Sequence, residues 1–86
     1  MDLIIGLVKA VEEDDTIRIT RDIYDHSHPL VNAIIYLANT YLTLDDRHEH
    51  LRVLKQHGIE VFPGEQDRFG WLTGCIQLSR GQIVFG

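Results

Sequence analysis

The sequence predicts an α+β domain, two or three helices packed on a small antiparallel sheet of three or four strands. Three observations carry that expectation. The stretch 29–44 has no charged side chain and repeats its apolar residues with a helical period. A second helical pattern stops at Gly58 and runs directly into the strand-like Ile59-Glu60-Val61-Phe62. From Trp71 to Leu78 apolar and polar residues alternate, and the chain then turns into Ile83-Val84-Phe85.

In chain order, residues 2–13 place Leu3, Ile4, Leu7, Val8, Ala10 and Val11 within one helical arc. Asp2, Lys9, Glu12 and Glu13 lie opposite, with Ile5 on the border. Asp2 is a competent N-cap, so the pattern favours a helix. Gly6 opposes it, because glycine inside a helix costs about 1 kcal/mol relative to alanine. The alternative is a buried strand that pairs with residues 16–20 across the Glu12–Asp15 loop. The acidic run Glu12-Glu13-Asp14-Asp15 reads as a solvated turn. Thr16-Ile17-Arg18-Ile19-Thr20 alternates with β-branched residues and predicts a short half-buried strand, and its continuation to Ile23 and Tyr24 stays open.

Asp25-His26-Ser27-His28-Pro29 breaks the chain and starts a helix. Ser27 or His28 would cap it, and Pro29 suits a first turn whose N–H has no helical acceptor anyway. That helix is expected to reach Leu44. Thr43 to Asp46 then offer a variant capping box for a third helix over 44–57. Asp45 and Asp46 would lie in its first turn and Lys55 and His57 in its last, as the helix dipole prefers. Pro63-Gly64 would end the following strand. In 71–78, Leu72, Ile76 and Leu78 share one face, while Trp71, Thr73, Cys75 and Gln77 share the other. Gly81 would supply the positive φ of a tight hairpin turn.

The apolar helix 29–44 is the central element of the expected fold. Leu30, Ile34, Leu37, Tyr41 and Leu44 form one stripe, Val31, Ile35, Ala38 and Leu42 the next, and Ala33 and Tyr36 lie largely off both. A helix apolar over so much of its circumference is normally covered on most sides. A chain of 86 residues has little with which to wrap it. A second copy of the chain is therefore expected to cover the remainder, with a two-fold dimer favoured. Val31, Ile35 and Tyr36 would form that interface. Trp71, on the side of its strand away from the apolar stripe and next to the glycine-bounded loop 64–70, would join it.

Composition narrows the function. The length suits a single domain, 1–86, with no internal repeat or linker. Acidic residues outnumber Lys and Arg by 13 to 8, a formal charge of −5, and the basic residues are scattered. Such a surface does not suit general binding to nucleic-acid phosphates. The lone Cys75 excludes an intramolecular disulfide framework and fits a reducing compartment. The start at Met1-Asp2 has no basic n-region, and the charge-free stretch is short of the roughly 20 residues of a membrane span. A cytoplasmic, non-membrane protein is expected.

The 5 histidines are the only enrichment that hints at chemistry. His26 or His28 with Asp46 and His50 could supply a Zn²⁺ site if the loop before the apolar helix folded back beside the third helix. Each residue also has a plainer role, as cap, turn residue or i,i+4 pair, and no metal or other cofactor is expected. Cys75 has no helix N-terminus or neighbouring cation to lower its pKa, so it reads as a packing residue. No glycine-rich phosphate loop or nucleophile elbow is present, and no catalytic residue is assigned. These features point to a small non-enzymatic interaction module that homo-oligomerises. The alternative is a small-ligand or metal-binding protein, or an enzyme, with its pocket between the apolar helix and the sheet or at a dimer interface.

Overall fold

The computed structural model describes residues 2–43, 45–66 and 72–85. Among them the chain forms α1 (Asp2–Glu13), β1 (Ile19–Thr20), β2 (Ile23–Tyr24), α2 (Pro29–Leu42), α3 (Arg47–Gln56), β3 (Glu60–Gln66), β4 (Leu72–Gln77) and β5 (Gln82–Phe85). The class is α+β as expected. The sheet is larger than expected and mixed: five strands in the order β1-β2-β5-β4-β3, antiparallel except for the parallel pair β2–β5.

The segment 2–13 is a helix, which settles the choice between helix and strand. Its orientation differs from the expected arc. Ile4, Ile5, Val8 and Val11 are buried, whereas Leu3 and Ala10 face outward. Moving Ile5 inward and Leu3 outward places four β-branched residues, Ile4, Ile5, Val8 and Val11, in the core, where their stiff side chains lose little further freedom.

The expected strand 16–20 is shorter, and Ile23 and Tyr24 form a separate strand. Arg21 (φ 54°) and Asp22 (φ 64°) both adopt left-handed conformations, which reverse the chain and pair Ile19 with Tyr24 and Thr20 with Ile23. Positive φ at both central positions is the geometry of the tightest hairpins, which usually recruit Asn-Gly. Asp22 tolerates that conformation, whereas Arg21 does not announce it. Two Asx-type turns flank this hairpin. The Asp14 carboxylate accepts from the Thr16 N–H and hydroxyl, and the Asp25 carboxylate accepts from the Ser27 N–H and hydroxyl.

Pro29 opens α2, and His28 is its N-cap, its Nδ1 accepting the Leu30 N–H at 3.2 Å. The polar side chains of this uncharged helix turn back on their own carbonyls. Asn39 donates to the Ile35 carbonyl, Thr40 to that of Tyr36 and Thr43 to that of Asn39. Local back-bonding of this kind lets them sit inside an apolar helix without stranding a donor. The helix ends at Leu42 with Thr43 as C-cap. Asp45 and Asp46 then precede α3 rather than opening it, and Asp46 is its N-cap through the backbone alone.

Gly58 ends α3 as the sequence requires. Its φ is 78°, its N–H donates to the Lys55 carbonyl and the Ile59 N–H donates to that of Leu54. This is the Schellman arrangement, and the buried pair Leu54 and Ile59 supplies its usual apolar contact. The strand after it does not stop at Pro63-Gly64. β3 continues to Gln66 across a register irregularity between Pro63 and Gln66. Proline is tolerated because β3 is the edge strand, where a missing donor costs no ladder bond. Gly81 is also not the positive-φ turn residue expected. A side chain there would meet the Asp22 carbonyl at 2.7 Å, and that same carbonyl accepts the Gln82 N–H at 2.7 Å. Glycine at 81 lets the β1–β2 hairpin dock on β5.

The core lies between the helices and one face of the sheet. Val8, Val31, Ile34, Ala38, Leu42, Leu54, Tyr24, Ile76 and Ile83 are essentially inaccessible. Burial of side chains of this size favours the folded chain by about 1.5–3 kcal/mol each. Thr73 and Gln77 on the opposite face of β4 are exposed, as are Glu60 and Phe62 on β3. No helix among the described residues is long and apolar enough to cross a membrane.

Candidate interaction surface

The outer side of the helices holds two large exposed apolar side chains. On α1, Leu3 is 61% exposed, and on α2 Tyr36 is 67% exposed. The two helices pack against one another and share the hydrophobic core below. The exposed residues of α2 are Pro29, Asn32, Tyr36 and Thr40, and the whole helix carries no charge. Ile35 is half-buried and packs against the core. Val31 is wholly inaccessible within the chain, so it is corrected from an interface residue to a core residue. The helical period explains this, since Val31, Ile34, Ala38 and Leu42 share a single inward stripe. The assignment of Trp71 falls outside the described residues. Sequence reading missed Leu3, because an unrotated wheel put it in the buried arc.

Two of the histidines, His28 and His50, have structural roles. His50 donates from Nδ1 to the Tyr41 carbonyl at 3.1 Å, and its Nε2 lies 3.5 Å from the Asp46 carboxylate. Its ring also meets the Tyr41 ring edge-on, with centroids 5.3 Å apart. His50 thereby ties α3 to a last-turn carbonyl of α2, one that also accepts the N–H of the C-cap Thr43. His28 is occupied by the α2 cap, and His26 is exposed. Asp46 and His50 come together as an i,i+4 pair, and the loop histidines do not join them. Among the described residues, no group of three or more His, Cys, Asp or Glu is placed to hold a metal ion.

Arg80, in the turn between β4 and β5, reaches the C-terminal end of α1. Its Nη2 donates to the carbonyls of Val11, Glu12 and Asp14, each at 2.9 Å, and Nη1 lies 3.6 Å from the Asp15 carboxylate. Its guanidinium carbon sits 5.9 Å from the centroid of the Tyr24 ring, and the neighbouring Ser79 hydroxyl donates to Glu12. A planar cation is well suited to collecting several carbonyls at the negative end of a helix. The acidic run after α1 is therefore held at its start, rather than being only a solvated turn.

Two further surfaces lie beside α3 and on the open face of the sheet. A hollow of about 210 Å³ between α3 and β3 is lined by Leu51, Lys55, Ile59, Glu60, Val61 and Phe62. On the open face of the sheet, Phe62, Cys75 and Val84 stand in register across β3, β4 and β5, with Phe62 55% exposed. The space between α2 and the sheet is filled by Ile34, Ala38 and Leu42, each at most 1% exposed. Comparison of the chain with protein-family models, with curated proteins and with solved structures found no match.

Proposed function

We propose that this chain is a small cytoplasmic, non-enzymatic interaction module that homo-oligomerises through the outer side of its helices. The supporting observation is that Leu3 and Tyr36, each more than half exposed, lie on two helices that pack together and of which α2 is uncharged. Helices facing water normally carry charged side chains on the outer face, and concentrated exposed apolar surface marks association sites. The alternative, a small-ligand site, would draw on surface hollows of about 210 Å³ between α3 and β3, about 470 Å³ lined by Glu12, Lys55, Glu60 and Gln77, and about 420 Å³ lined by Arg18, Thr20, Tyr24 and Asp25. The first is below the roughly 300–1,000 Å³ of ordinary ligand pockets, and the two larger ones are lined mostly by polar and charged side chains, whereas such pockets are predominantly apolar.

The test is the solution mass by light scattering behind a sizing column at two concentrations. The wild-type chain should run as a dimer or larger species. Tyr36→Glu should move it toward the monomer while its thermal midpoint stays near that of the wild type. A wild-type monomer at the higher concentration would overturn this reading.

A further inference from the structure

The outward face of α1 consists of Asp2, Leu3, Gly6, Lys9, Ala10 and Glu13, all exposed. From their arrangement we infer that α1 packs antiparallel against α1 of a second copy, about a two-fold axis passing beside Gly6. The inference rests on the homo-oligomeric reading and names the contact.

Gly6 supplies the first argument. Glycine lowers the stability of a helix interior, so its presence there needs a reason. A side chain added at Gly6 meets nothing within 4 Å inside the chain. No neighbour within the protomer requires a glycine, whereas close approach of another backbone from outside does. Leu3, 61% exposed beside it, supplies apolar surface that such an approach would bury. Ala10, about one turn on, keeps the same column narrow.

Charge selects the partner and its direction. With a helix rotation of roughly 100° per residue, Asp2 and Lys9 lie on one flank of the Gly6 column and Leu3 and Ala10 on the other. A two-fold axis perpendicular to the helices lays each flank on the same flank of the second copy, with the direction reversed. Asp2 then meets Lys9 of the second copy, Lys9 meets its Asp2, and each Leu3 covers an Ala10. A parallel pair would set the charged flank against the apolar one and leave both charges unpaired. The surface is thus complementary to itself, so the occupant is another copy of this chain.

Sedimentation equilibrium of the full chain and four variants tests this. Gly6→Gln should raise the thermal midpoint of dilute protein, by removing the helix-interior glycine, while weakening dimerisation at least about tenfold. Opposite signs in the two readouts separate a lost contact from a lost fold. Lys9→Asp should weaken the dimer, and combining it with Asp2→Lys should bring the dissociation constant back to within about twofold of wild type. If Gly6→Gln and Lys9→Asp leave the dimer unchanged while Tyr36→Glu breaks it, the α1 contact is overturned and the homo-oligomeric reading survives. A wild-type monomer at all concentrations overturns both.

Discussion

Two helices of this chain end by opposite means. α3 stops locally: Gly58 turns left-handed, and two N–H groups just beyond it satisfy the carbonyls of Leu54 and Lys55. α1 has no glycine stop and no basic residue in its last turn. Besides one local bond from the Asp14 N–H to the Val11 carbonyl, the carbonyls of Val11, Glu12 and the following Asp14 are held by Arg80, which lies 66 to 69 residues away in sequence. The local ending costs one special backbone conformation and is present as soon as the helix forms. The distant ending exists only once β4, β5 and α1 have come together. It couples helix termination to completion of the sheet.

Breaking each ending should expose that difference. Arg80→Ala should be the most damaging change, lowering unfolding free energy by about 3 kcal/mol, since three part-buried carbonyls lose a charged donor. Arg80→Lys should recover only part of it, because an ammonium lacks the planar fork. Urea denaturation measures both, and a loss below about 0.5 kcal/mol for Arg80→Ala would show that water replaces the guanidinium adequately. Gly58→Ala should cost less, about 1 kcal/mol, by forcing a side chain into a left-handed conformation. Hydrogen exchange should then accelerate at the α3–β3 junction alone, whereas Arg80→Ala should accelerate it in α1 and β5 together.

The smallest effect concerns the turns flanking the β1–β2 hairpin. The Thr16 hydroxyl and N–H hold the Asp14 carboxyl below its usual range, and Ser27 does the same for Asp25. Carboxyls with lowered folded pKa values contribute stability that is fully present above their unfolded pKa of about 4. That contribution is lost as pH falls through the lower folded value. The thermal midpoint should therefore be level from pH 5 upward and decline below about pH 4, with a shallower decline in Thr16→Val and Ser27→Ala together. An unchanged slope in that double variant would assign the acid sensitivity to other carboxylates.

Most of what was legible in the sequence is local. The start of α2 at Pro29, the Gly58 stop, the inward face of β4 with Ile76 and Leu78, and the helical state of 2–13 each depend on residues within a turn or two of one another. The rotation of α1 was not legible, because Leu3 and Ile5 are equally apolar and only the packed core chooses between them. Nor was the Arg21-Asp22 turn, where Asp22 tolerates the left-handed region but Arg21 rarely adopts it, and docking on β5 supplies the compensation. On the candidate surface, Tyr36 stood out as off both apolar stripes and is exposed. Val31, a member of the second apolar stripe, was expected at the interface and is core.

The amino-acid sequence by itself determined the class of the fold, the uncharged central helix and the position of the α3 stop. Periodicity, caps and glycine act through backbone conformation, over distances that neighbouring residues span. The tertiary structure alone decided the parallel pairing of β2 with β5, the glycine at 81 as a passage for the Asp22 carbonyl, and the holding of α1 by Arg80. Those depend on carbonyls and side chains that meet only after distant segments have packed, and no local pattern encodes which of them will meet.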